Sequence, residues 1–228
     1  MNLTKSREVF NPDSVRERIH IIGCGSVGST IAELLARYGL TKFTLYDFDV
    51  VEPKNIVNQM FTGADIGKAK VDALKSLLVS INPEAEKDIR IKESGWVPGT
   101  RLSGYVFLAV DNIEIRQKIV DENKLNPNIR ATFDVRTALF DAQLYAADWK
   151  DNNSIKAFRD SMAFTHEEAT AEVPVSACGV TLGVAPTVRL AATITVTNFI
   201  NFATKGKLRK MILTNPFELY GDVVIAVG

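Results

Sequence analysis

The chain has 228 residues, enough for one sizeable core, and 46% of them are apolar, as in an ordinary globular protein. Its 27 basic and 27 acidic residues cancel, which removes any global electrostatic case for nucleic acid or an anionic membrane surface. Two cysteines, Cys24 and Cys178, are too few for a disulfide framework or a four-ligand zinc site.

In chain order, residues 1–18 read as a polar leader with no secretory apolar stretch, and a short helix is expected after Asn11-Pro12, with Asp13 as its cap. A strand over 19–22 runs into Gly23-Cys24-Gly25-Ser26-Val27-Gly28, then a helix over 27–38 stopped by Gly39, then a strand over 42–47. The polar stretch 51–67 is long for a structureless loop, and such loops usually carry function. Val71, Leu74, Leu77 and Leu78 place a helix over 68–79, and a strand over 88–92 follows. The continuous apolar run 105–110 reads as a strand at the buried centre of a parallel sheet, with Asp111 and Asn112 at its tip. A helix over 113–123 and strands over 130–135 and 141–147 come next.

Residues 149–177 lack a clear pattern and are expected to form a long loop or mobile crossover. A packing helix over 182–203 and one or two strands within 217–227 close the chain. Arg189 and a run of threonines interrupt the apolar stretch 182–202, so it does not read as a membrane span, and a cytoplasmic protein is expected. The alternation predicts an α/β, Rossmann-like, doubly wound and mostly parallel sheet with antiparallel strands added on the C-terminal side. The expected division is a leader over 1–18 and a single nucleotide-binding domain over 19–228, with 149–178 as its crossover segment.

The Gly-rich turn carries the strongest chemical signal. Gly23 permits a tight turn, Gly25 lets backbone approach a phosphate, and Gly28 lets the helix pack on the strand. The helix start offers unpaired N–H groups and a partial positive charge to an anion. Asp47 and Asp49 end the second strand, Asp49 about 20 residues past the last glycine, where a carboxylate accepts ribose hydroxyls. Asn55 and Gln59 in the following loop, Lys70 at the next helix and Asp111 at the central strand tip belong to the same sheet edge. Lysine can neutralise phosphate charge in a transition state, and a strand-tip carboxylate can hold Mg²⁺.

With these residues the chain resembles the ThiF/MoeB-type, ubiquitin-activating family of adenylyltransferases. The pattern D-x-D-x-V-E-x-x-N-L-x-R-Q stands here as Asp47-Phe48-Asp49-Val50-Val51-Glu52-Pro53-Lys54-Asn55-Ile56-Val57-Asn58-Gln59, followed by Ile66-Gly67-Lys68-Ala69-Lys70. Asp111-Asn112 with Arg116 matches D-N-x-x-x-R, and Cys178-Gly179-Val180 with Leu182-Gly183 is similar to a C-x-x-x-G-V-L-G segment. The resemblance implies binding of ATP with Mg²⁺ and adenylation of the C-terminal carboxylate of a ubiquitin-like or sulfur-carrier protein, or a peptide ending in Gly, with release of pyrophosphate. It implies that Gly23, Gly25, Ser26, Val27 and Gly28 lie against the nucleotide. Asp49 would bind ribose with Asp47 nearby, and Asn55, Asn58, Gln59 and Lys70 would line the phosphates. Asp111 would hold magnesium beside Asn112; Cys178 either takes the acyl group as a nucleophile or is a small buried apolar residue. A homodimer is expected, with no zinc, nucleic acid or membrane.

The chain departs from the pattern at position 58, where Asn58 replaces an arginine, so phosphate charge would shift to Lys54, Lys68 or an N-terminal arginine (Arg7, Arg16 or Arg18). Two other readings follow from the same residues. An NAD(P)-dependent oxidoreductase explains the glycines and Asp49 but not the set Asn55, Gln59, Lys70 and Asp111. A nucleotide-binding pseudoenzyme, partner to an active adenylating enzyme, explains Asn58. Cys24 reads as filler in the turn, His20 as structural, His166 as a solvated loop residue, and Asp134 with Arg136 as an ion pair bracing the sheet.

Overall fold

The computed structural model describes residues 1–171, 182–218 and 225–227. Among them, eight strands form one sheet in the order β3-β2-β1-β4-β5-β6-β7-β8. The strands are β1 (Ile19–Ile22), β2 (Phe43–Tyr46), β3 (Arg90–Lys92), β4 (Gly104–Leu108), β5 (Ile129–Thr137), β6 (Ala142–Asp148), β7 (Met211–Thr214) and β8 (Ile225–Val227). Pairing is parallel from β3 to β5 and antiparallel from β5 to β8, as the sequence predicts. The chain leaves β1 toward β2 and β3, then returns to β4 on the other side of β1. That reversal makes the carboxyl edge at β1 and β4 the topological switch point, the place where doubly wound sheets bind ligands.

Helices cover both faces: α1 (Ser26–Arg37), α2 (Lys70–Ile81) and α6 (Ala185–Lys205) belong to one, α3 (Ile113–Asn123) and α4 (Asn152–Asp160) to the other. Strand alternation sorts the side chains. Ile19, Ile21, Phe43, Leu45, Tyr105, Phe107 and Phe133 join the α1–α6 core, while Ile22, Tyr46, Val106 and Leu108 face α3 and α4. Phe107 stacks on Phe133 with ring centroids 4.8 Å apart, and Phe199 of α6 meets Tyr105 edge-on at 4.9 Å. No described helix is long and apolar enough to cross a membrane.

Five expectations are corrected. The segment 149–177 is not a loop throughout, since it holds α4 and α5 (His166–Ala171). Asp151 caps α4 by accepting from the Asn153 N–H, and Ile155 and Phe158, three residues apart, bury one narrow stripe under Trp149. The leader is not merely solvated: Phe10 is fully buried against Tyr38 and Phe199. Its short 3-10 turn Pro12–Ser14 is capped by Asn11, not Asp13. The central strand stops at Leu108, and a further strand, β7, lies at Met211–Thr214.

Candidate active site

The turn after β1 is built by close contacts that only glycine allows. Gly23 has φ 93°, and a Cβ there would lie 2.6 Å from the Ala109 carbonyl oxygen, so β1 and β4 end against each other. A Cβ on Gly28 would lie 1.8 Å from the Gly23 carbonyl oxygen. Gly25 is different: nothing lies within 4 Å of the place a Cβ would take. It is the N-cap of α1 without a side-chain cap, so the first N–H groups of α1, from Ser26 and Val27 onward, start at open space. An anion fits that arrangement of free donors and helix dipole.

The two aspartates after β2 do different work. Asp47 closes the turn: its Oδ2 accepts the Cys24 N–H at 2.6 Å and its Oδ1 the Asp49 N–H at 2.9 Å. Burial pushes its carboxyl above the usual carboxylate range, opposed by those two N–H groups. Asp49 is half exposed and takes the Lys70 Nζ at 2.7 Å, while the Lys70 N–H donates to the Asp49 carbonyl at 2.9 Å. Lys70 is 7% exposed at the first position of α2, so its ammonium is held at the site by one carboxylate. Cys24 is fully buried, and burial pushes its thiol well above its ordinary range, consistent with a packing role.

The loop after Asp49 is held at both ends. Glu52 and Asn55 form a reciprocal capping pair, in which the Asn55 Oδ1 accepts the Glu52 N–H at 2.8 Å. The Asn58 amide donates to the Gly183 carbonyl at 3.0 Å and so joins the loop to the approach to α6. The Met60 N–H donates to the Ser29 hydroxyl of α1 at 3.2 Å. Between them, Gln59 buries an Oε1 that accepts no hydrogen bond.

Beyond β4, Asp111 is exposed and has no hydrogen bond or ion pair among the described residues. Asn112 caps α3, its Oδ1 accepting the Ile115 N–H at 3.0 Å. Arg116 on α3 donates from Nε to the Val110 carbonyl at 2.8 Å and pairs with Asp134 of β5. Asp134 is fully buried and also takes Arg136, whose guanidinium lies 4.3 Å from the Tyr145 ring centroid. Asp134 thus orients Arg116, which in turn holds the Val110 carbonyl immediately before Asp111.

The structure thus gathers the Gly23–Gly28 turn, Asp47, Asp49, Asn55, Asn58, Gln59, Lys70, Asp111 and Asn112 on the loops at or after β1, β2 and β4. Cys178 lies outside the described residues. Of the substitute cations suggested by Asn58, Lys54 pairs with Glu52, Lys68 with Asp65, Arg7 with Asp13, and Arg18 with the carbonyls of Phe43 and Asp88, while the side chain of the exposed Arg16 has no partner among the described residues. In the sequence Arg189 stands out only as an interruption in an apolar run. It reaches the Thr30 hydroxyl at 2.6 Å and Met60, beside the site.

Comparison with known proteins places the chain in a family. The chain belongs to the ThiF family, whose model matches residues 12–219. It is 32% identical over 146 residues to ubiquitin-like modifier-activating enzyme 5 of Drosophila willistoni, and 33% identical over 136 residues to that of Dictyostelium discoideum. These alignments cover 55% and 52% of the chain but only 36% and 35% of those relatives. Among solved structures, E. coli MccB superposes with a TM-score of 0.66 at 17% identity, covering 94% of the chain and 68% of MccB. MccB crystallised with ATP gives a TM-score of 0.62 and is covered over 62% of its length. At such identity the superposition speaks for the fold.

Proposed function

We propose that this chain uses ATP to adenylate a C-terminal carboxylate, releasing pyrophosphate. One observation carries the reading: an uncapped helix start over an open Gly25, a buried Lys70 and an unpartnered Asp111 all belong to one sheet edge. Membership of the ThiF family and similarity to ubiquitin-like modifier-activating enzyme 5 support it, as do the MccB structures with ATP and with MccA. In this reading the N–H groups of Gly25, Ser26, Val27 and Gly28 bind phosphate and Asp49 takes the ribose hydroxyls. Lys70, released from Asp49 as ribose replaces it, moves to the phosphates with Asn55 and Gln59. Asp47 holds the turn, and Asn58 and Asn112, whose amides already bind Gly183 and Ile115, fix the loop and α3 beside the nucleotide.

The acceptor carboxylate oxygen attacks the α-phosphorus, the bond to the bridging oxygen breaks, and pyrophosphate leaves. A carboxylate is a weak nucleophile, so the protein contributes positioning and charge neutralisation. No group of three or more potential metal ligands occurs among the described residues, yet magnesium commonly uses one or two carboxylates with phosphate and water. Asp111, without a partner among the described residues, fits that demand, and bound Mg²⁺ would offset the phosphate charge.

The acceptor class is a ubiquitin-like or sulfur-carrier protein, or a peptide, with a C-terminal Gly. The Cys178 thiolate would then displace AMP from the acyl group. The protein would act as a homodimer in the cytoplasm, with residues 19–228 as one adenylation domain. Exchange of radiolabelled pyrophosphate into ATP tests the core of this: acceptor-dependent exchange is expected, and ATP binding without exchange for any Gly-Gly acceptor would favour the pseudoenzyme. Cys178→Ala is expected to keep exchange and lose any covalent acceptor adduct.

A further inference from the structure

We infer that Arg189 is a phosphate-binding residue of this site, contributed by α6 to the β,γ end of a nucleoside triphosphate. The inference rests on the adenylation reading and adds a cation from an element outside the Gly-rich turn, the loop and the strand tips. Arg189 lies in the second turn of α6 and is half-buried. Its Nη1 donates to the Thr30 hydroxyl at 2.6 Å, and Thr30 in turn donates to the Ser26 carbonyl at 2.8 Å. The guanidinium is thereby linked by one side chain to the first residue of α1, where the helix start is uncapped. Met60, the residue after Gln59, is its other contact.

The charge balance distinguishes this arginine from its neighbours. Lys54, Lys68, Lys70, Arg116 and Arg136 each pair with a carboxylate of this chain. Arg189 has no ion pair among the described residues, and its Nε and Nη2 donors have no acceptor there. A partly desolvated cation without an anion is unfavourable unless an anion arrives. The local acceptors are a hydroxyl and a thioether, neither of which compensates a full charge. Guanidinium offers a planar fork of donors suited to two phosphate oxygens, and the phosphate-binding start of α1 is one turn away. Asn58 helps to place it: by holding Gly183 it ties the loop to the start of α6, which sets Met60 against Arg189.

The competing role is a plain tether between α6 and α1, and nucleotide length separates the two. ATP and AMP binding to the full chain is measured by calorimetry with Mg²⁺ for wild type, Arg189→Gln and Arg189→Lys. The expected result is about a ten-fold or greater loss of ATP affinity in Arg189→Gln, AMP affinity within about two-fold of wild type, and partial recovery in Arg189→Lys. A tether predicts equal losses for both nucleotides, or none, and either overturns the inference. Wild type that binds no ATP would instead overturn the adenylation reading. If Arg189→Gln does not fold, the wild-type chain is treated with phenylglyoxal and mapped by mass spectrometry. Protection of Arg189 by ATP and not by AMP is expected, and modification unmoved by ATP overturns the assignment.

Discussion

Two aspartates near the same sheet edge show how one carboxylate is saturated inside the fold and another is left open. Asp134, inside β5, has no solvent exposure and is saturated by Arg116 and Arg136. Asp111, just past β4, is exposed and has no partner among the described residues. They are linked, because Arg116 bridges Asp134 to the Val110 carbonyl one residue before Asp111. The buried carboxylate holds the arginine, the arginine holds the backbone, and the backbone presents the open carboxylate. Removing Asp134 leaves two enclosed cations facing each other without an anion. Asp134→Ala is therefore expected to cost about 3–5 kcal/mol, read as a fall in the urea midpoint, if the chain folds at all. A loss no larger than that of an exposed substitution would mean that the arginines find other partners and that Asp134 does not hold them.

A second buried polar group sharpens the contrast through pH. His20 in β1 accepts the Ser103 N–H at Nε2 (3.3 Å), which leaves Nδ1–H to donate to the Tyr46 hydroxyl at 2.9 Å. Burial, reinforced by the charges of Arg18 and Arg90, lowers its pKa from 6.5 to about 4. The neutral ring is the folded form, so its contribution is fully present above pH 6.5 and is lost as pH falls toward 4. Acidification across that window is expected to remove about 3 kcal/mol, visible as a falling unfolding free energy. His20→Gln should flatten that slope, and an unchanged slope would place the titration elsewhere. Smaller still is the effect of Asn112, adjacent to Asp111 but engaged as a helix cap. Asn112→Ala is expected to cost about 1 kcal/mol, measured as a lowered midpoint.

The Gly-rich turn, α1, α3 and the central strands were legible in the sequence because each carries a local signal. Gly23 and Gly28 stand where any Cβ would collide with backbone, and β4 is a continuous apolar run. Legibility failed where structure depends on distant partners. The helix α4 is polar on most sides and buries little beyond Ser154, Ile155 and Phe158, so its stripe was too narrow to read before Trp149 and α3 were in place. Phe10 was hidden in a charged leader, although its ring completes the aromatic group around Phe199. At the site, spacing named the candidates but not their division of labour. That Asp47 closes a turn while Asp49 holds Lys70 follows from which N–H and ammonium reach each oxygen. Arg189 is 159 residues from the Thr30 it touches, beyond any local pattern.

The smallest expected change in stability belongs to the residue with the largest expected change in chemistry. Asp111 contributes no ion pair, no cap and no core contact in the described structure, so Asp111→Asn has nothing to break, and its stability is expected to stay within about 0.5 kcal/mol of wild type. The substitution preserves shape and removes the negative charge, and with it the means by which, in the proposed reaction, Asp111 would hold a divalent cation against phosphate. Pyrophosphate exchange is accordingly expected to fall by about two orders of magnitude or more, with ATP binding in the absence of magnesium unchanged. A variant that keeps full exchange would remove Asp111 from the mechanism. One that loses stability as Asp134→Ala does would show that the strand tip is braced by Asp111 itself, and that the separation between a supporting and a working carboxylate does not hold at this edge.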